Sequence, residues 1–69
     1  MSEISITVNG QPETCPHSLS LEDYLAGKGI NPHKVVAELN GEILKPQSFK
    51  ERILNAGDEV EIIHFVGGG

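Results

Sequence analysis

The sequence predicts an α+β fold, a mixed sheet with one main helix packed on one face, and three observations predict it. Ile4-Ile6-Val8, Val35-Ala37-Leu39 and Val60-Ile62 each alternate with polar or outward-facing residues at the period of two that a half-buried strand shows. The first two are each followed directly by Asn-Gly, at 9–10 and 40–41, the strongest short signal for a hairpin. Helical patterning occurs once, over about eight residues from Leu21 to Lys28, too short to stand alone in water.

Taken in order, the first strand carries Ile4, Ile6 and Val8 on its buried face. After the Asn9-Gly10 turn, Gln11 to Cys15 returns. Pro12 lacks an amide donor, so this second strand belongs at the sheet edge. Cys15 is expected to behave as a small core or rim hydrophobe, with His17 the one nearby group able to activate it. Ser20-Leu21-Glu22-Asp23 resembles a capping box, with Asp23 in the usual place of Glu or Gln. Leu19 and Tyr24 flank it as a hydrophobic staple. Leu21, Tyr24 and Leu25 share one helical face, and Lys28 can lay its stem along the core edge while its ammonium stays wet. Gly29 suits a left-handed cap with Ile30 folding back. Asn31-Pro32 ends this region. Val35-Ala37-Leu39 is a strand, Glu42-Ile43-Leu44 returns, and Pro46 breaks it. Ser48-Phe49-Lys50-Glu51 is a weaker capping-box match, predicting one turn of helix that lays Phe49 on the core. Arg52-Ile53-Leu54 reads as a short strand and Asn55-Ala56-Gly57-Asp58 as a turn.

The last strand puts Val60, Ile62, His64 and Val66 on one face and Glu59, Glu61, Ile63 and Phe65 on the other. Val60 and Ile62 suit burial, and His64 is read as a rim residue. Ile63 and Phe65 form a small apolar patch on a polar face, read as a docking patch with Val66 guiding the tail. The competing reading is that Ile63 packs beneath a hairpin or the Phe49 turn. Gly67, Gly68 and Gly69 follow. They have no side chains to pack, so the tail is expected to be flexible, presenting its carboxylate at the tip. Three extended residues give roughly 10 Å of reach, slender enough for a tunnel that any Cβ would block. A frayed terminus without a role is the bland alternative.

Composition narrows the function classes. Sixty-nine residues make one domain near the lower size limit for an independent core. The net charge of −5 and the absence of a basic stripe argue against nucleic acid. A single cysteine allows no internal disulfide, which fits a reducing compartment, and no signal peptide or apolar span is seen, so a cytoplasmic protein with no membrane partner is expected. His17, His33 and His64 lack metal-ligand spacing, and no nucleophile–base set or phosphate-binding glycine loop is evident. No catalytic or metal site is expected.

The last strand is the most apolar and is expected to be central. If it pairs parallel to the first, the arrangement is the β-grasp of ubiquitin. One domain then covers residues 1–66 and the tail 67–69.

At this point the chain resembles the ThiS family of thiamin-biosynthesis sulfur carriers over its whole length. The resemblance is carried by Val8-Asn9-Gly10, by Ala37-Glu38-Leu39-Asn40-Gly41-Glu42-Ile43, and by Gly57-Asp58-Glu59-Val60-Glu61-Ile62 running on to Val66-Gly67-Gly68-Gly69. It departs at Gly27 and Lys28, where better helix formers are usual, and at Phe49, where tryptophan is common. The resemblance implies a substrate protein and no enzyme. A ThiF-type, E1-like adenylyltransferase would use ATP and Mg to activate Gly69 as an acyl-adenylate. A cysteine-desulfurase route would then supply sulfur for a thiocarboxylate, and a ThiG-type thiazole synthase would consume it. This chain itself would bind no cofactor. Gly67 and Gly68 would give clearance for threading. The small subunit of molybdopterin synthase, a ubiquitin-like modifier and a plain interaction module with an idle tail remain alternatives.

Overall fold

The computed structural model of the chain describes residues 2–65. Strands β1 (Glu3–Val8) and β2 (Gln11–Pro16) are followed by helix α1 (Leu21–Gly27), β3 (Val35–Leu39), β4 (Glu42–Leu44) and β5 (Glu59–His64). Short 3₁₀ segments, Pro32–Lys34 and Pro46–Glu51, precede β3 and follow β4. The sheet order is β2-β1-β5-β3-β4, with β5 parallel to β1 and antiparallel to β3. The central last strand, its parallel pairing and the proline-bearing edge strand all match the sequence reading, and the arrangement is a β-grasp.

Both Asn-Gly pairs form two-residue hairpin turns, closing Val8 onto Gln11 and Leu39 onto Glu42. Their φ values are positive at each position, +50° and +80° for Asn9-Gly10 and +53° and +86° for Asn40-Gly41. A type I′ turn needs this, and its twist matches that of the strands it joins.

Ser20 caps α1, its hydroxyl accepting the Asp23 amide at 3.0 Å. The backbone at Ser20 is bridged to Ile53, and the Leu21 and Leu54 amides donate to the Arg52 and Leu19 carbonyls. Arg52–Leu54 is therefore no strand of the sheet; it is an isolated bridge that ties down the start of the helix. At the other end Ile30 donates to the Leu25 carbonyl and Gly29 to that of Ala26, with Gly29 at φ +74°. Those two bonds define a Schellman motif. The helix ends one residue earlier than expected, at Gly27, with Lys28 as its cap.

Two local readings change. Ser48 is not an N-cap: the 3₁₀ segment starts at Pro46, with Lys45 in the cap position, and the Ser48 hydroxyl donates to the Lys45 carbonyl at 2.8 Å. Proline at the first helical position, whose φ is preset, outcompetes the later serine. Asn31 also caps a 3₁₀ turn that the sequence reading did not contain, accepting from the His33 amide at 2.9 Å.

The core lies between the sheet and α1. Leu21 and Leu25 are fully buried, with Tyr24 beside them, over Ile6, Ala37, Val60 and Ile62 from the sheet. Phe49 is 0% exposed, so the 3₁₀ segment does close the end of the core as expected. No described helix is long and apolar enough to cross a membrane.

Candidate functional site: the open face and end of β5

The strand β5 has one face in the core and one in solvent. Val60 and Ile62 are 1% and 7% exposed, whereas Ile63 and Phe65 are 55% and 57% exposed. The phase predicted from the sequence is correct, and Ile63 packs under neither hairpin nor Phe49. His64 is exposed, as a rim residue should be. The last described tie is the Phe65 amide, which donates to the Lys34 carbonyl at 3.0 Å. Val66, Gly67, Gly68 and Gly69 lie outside the described residues.

Strand register brings a further residue to this face. Ile63 sits opposite Val36, and Glu38 sits opposite both Glu61 and Ile43. Ile43 is 66% exposed, and it stands diagonally across from Val36, a separation of ~7–8 Å that long side chains span. The open face therefore carries an apolar band, Ile43–Val36–Ile63–Phe65, with Glu38 and Glu61 set between its members and Glu59 at one end. The sequence reading placed Ile43 on a returning strand without assigning it to the band. Only the cross-strand register, set by the Asn40-Gly41 turn, reveals the neighbour.

Side chains of both hairpin turns hold β5 in place. Asn9 Oδ1 accepts the Ile62 amide at 2.8 Å, and Asn40 Oδ1 accepts the Glu59 amide at 2.8 Å. Asn40 Nδ2 also donates to Asp58 at 3.0 Å. The asparagines thus do more than form turns: each adds a rung to the central strand where its own strand has run out. The sequence signal was present, since only Asn among good αL residues carries a neutral acceptor and donor together.

Elsewhere the described residues hold no cluster able to bind a metal ion. Cys15 is buried, and burial first, then the Glu13 and Glu3 charges, push its thiol pKa up, so it rests as a thiol. His17 Nδ1 is hydrogen-bonded with the Ser18 hydroxyl at 2.8 Å and is not recruited as a base. Above Cys15, the Tyr24 hydroxyl donates to Glu13 at 2.6 Å, and Lys28 Nζ lies 3.3 Å from the same oxygen and 5.6 Å from the Tyr24 ring centre. This group fastens edge strand β2 to α1.

A mixed five-stranded sheet whose last strand is central and parallel to the first, packed on one main helix, defines a ubiquitin-like β-grasp protein. The ThiS family model matches residues 6–69, and the chain belongs to that family. A crystal structure of a thiamine biosynthesis protein (ThiS) from Geobacter metallireducens superposes with a TM-score of 0.82 at 36% identity, covering 96% of this chain and all of that one. The sulfur carrier protein ThiS of Bacillus subtilis is 38% identical over 50 residues, 72% of this chain and 76% of that protein. A thiazole synthase of Magnetococcus marinus is 33% identical over 66 residues, which are 96% of this chain but 20% of that protein. The chain thus spans about a fifth of the length of that thiazole synthase.

Proposed function

We propose that this protein is a sulfur carrier for thiazole formation in thiamin biosynthesis, acting through the carboxylate of Gly69. The observation that carries the reading is the family match, which runs through the glycines to residue 69. A carboxylate is a poor acyl donor at neutral pH. Attack of the Gly69 carboxylate on the α-phosphorus of ATP, in an E1-like adenylyltransferase, releases pyrophosphate and gives the acyl-adenylate. Attack of sulfide-level sulfur on the acyl carbon expels AMP and leaves a thiocarboxylate. Thiazole synthase then takes that sulfur. This chain contributes no acid, base or metal ligand to these steps; its body is a handle and its end is the cargo site.

The open band of Ile43, Ile63 and Phe65 supports the same reading as a docking surface for the enzymes that receive the tail. Glu61 and Glu59 give it a negative field that favours a basic counterpart. The thiazole synthase relative adds support for that partner, because a domain like this one occupies a fifth of its chain.

The test is intact-mass analysis of protein loaded by the adenylyltransferase, a cysteine desulfurase and a thiol reductant, which brings the desulfurase's persulfide sulfur to the sulfide level. A gain of about 16 Da, sulfur for oxygen, is expected on the native chain and none on a chain carrying one alanine beyond Gly69. Conjugate ladders on lysines would point instead to a protein modifier, and equal loading of the extended chain would defeat the reading.

A further inference from the structure

Strand β1 accompanies β5 for only part of its length. Their register covers Thr7 with Glu59 and Val8 with Val60, after which β1 turns away at Asn9-Gly10. The Asn9 amide donates to the Val60 carbonyl at 2.9 Å, and the Asn9 side chain accepts the Ile62 amide at 2.8 Å. On the opposite side β3 pairs with β5 through His64, and the Phe65 amide adds one more bond to Lys34. Backbone groups along a strand alternate in direction. Since the Ile62 amide points to the β1 side and that of Phe65 to the β3 side, the Ile62 carbonyl and both backbone groups of His64 point to the β1 side. No described residue pairs with them there. The middle strand of the sheet thus becomes an edge strand over its last turn of pleat, immediately before the residues that lead to Gly69.

We infer that this vacated edge, the Ile62 carbonyl with the His64 amide and carbonyl, receives an extended segment of thiazole synthase as an added strand, in line with β1 beyond the Gly10 turn. The inference rests on the carrier reading above and names how that partner grips the chain. An added strand lies about 4.8 Å away and gains main-chain hydrogen bonds without displacing any. Its outward side chains stand beside Ile63 and Phe65, because Asn9 already occupies the place beside Glu61. Polarity there specifies the occupant: apolar residues next to Ile63 and Phe65. Pairing at this point also fixes the direction of the chain entering the enzyme, and the thiazole synthase that contains a similar domain supplies the partner's identity.

The test compares His64→Pro with His64→Ala in the full-length protein, by calorimetric titration with the cognate thiazole synthase. Proline removes an amide that has no internal partner and fills the space of the added strand, a tolerated change only at an unpaired position. The expected result is that His64→Pro folds, by circular dichroism, and binds at least tenfold more weakly than His64→Ala. In the native chain, exchange of the His64 amide should slow at least tenfold in the complex. Equal binding by the two variants with unchanged exchange would overturn the edge while leaving the carrier reading intact, as would an unfolded His64→Pro. Sensitivity confined to the adenylyltransferase would overturn the occupant. A native chain that thiazole synthase does not bind would overturn the carrier reading and this inference with it.

Discussion

Replacing Asn9 by glycine isolates the bond that extends β5 past the end of β1. Asn9 sits at φ +50°, where glycine is unstrained and asparagine pays part of the ~1 kcal/mol αL cost. That relief roughly offsets the extra freedom glycine brings to the unfolded chain. What remains is the loss of the 2.8 Å bond to the Ile62 amide in a half-buried setting. A hydrogen bond is worth about 1 kcal/mol net, and an amide left partly unsatisfied adds to it, so the expected cost is about 1–2 kcal/mol. For a domain of this size that is a fall in Tm of roughly 5–15 °C. The assay is thermal and urea unfolding, with amide exchange at Ile62 as a local readout that should accelerate well beyond the global change. Asn9→Ala should be worse by about 1 kcal/mol, because it keeps the backbone strain and loses the acceptor. If Asn9→Gly unfolds within 0.3 kcal/mol of the native protein, water replaces the side chain at no cost and the clip does not hold β5.

Phe49→Ala should cost about 3–5 kcal/mol, comparable with the whole stability of a chain this short, and is expected to abolish a cooperative melt, whereas Phe49→Leu should keep one. Ile63→Asp, at a position 55% exposed, should change stability by less than about 1 kcal/mol yet weaken binding to thiazole synthase at least tenfold by titration. Glu13→Gln probes the β2–α1 fastening: the Tyr24 hydroxyl, aided by Lys28 and opposed by burial, holds the Glu13 carboxyl below its ordinary 4.5. A lowered folded-state pKa means the stabilisation is complete above about pH 4.5 and is lost as pH falls through the folded-state pKa, so the variant should be about 1 kcal/mol less stable at pH 7 and converge on the native protein once Glu13 is protonated in the folded state, as read by urea titrations at falling pH.

Legibility in the sequence followed the range of the interaction. The two Asn-Gly turns, the alternation in β1, β3 and β5, and the Ser20 cap are local, and each was readable from a few adjacent residues. The apolar phase of β5 was equally plain, which is why Ile63 and Phe65 could be placed on the open face. The central place of β5 beside β1 was also legible, but finer contacts between distant segments were not. Ile43 joins the band only because Glu38 is shared by two neighbouring strands. Arg52-Ile53-Leu54 resembles a strand because its residues suit one, but its backbone bonds go to the start of the helix, where the segment bridges Ser20. At Ser48 two local signals compete, a capping-box match and Pro46, and the fixed φ of Pro46 starts the turn.

The candidate site shows the same division. The glycine tail is a composition signal and needs no fold to be seen. Its presentation needs one. Strand β5 must be central for its first half to be gripped on both sides, and β1 must stop early for its second half to be open on one. A longer β1 would pair His64 and close that edge; a shorter one would lose the Asn9 rung and let β5 fray from Ile62. The turn at Asn9-Gly10 therefore sets two properties with one residue pair, the register of the first hairpin and the length of β5 left for a partner. In this view insertion of two residues before Asn9 and two after Gly10, which preserves strand phase and lengthens both strands of the hairpin, would keep the protein folded and still weaken its binding to a partner at the β5 edge.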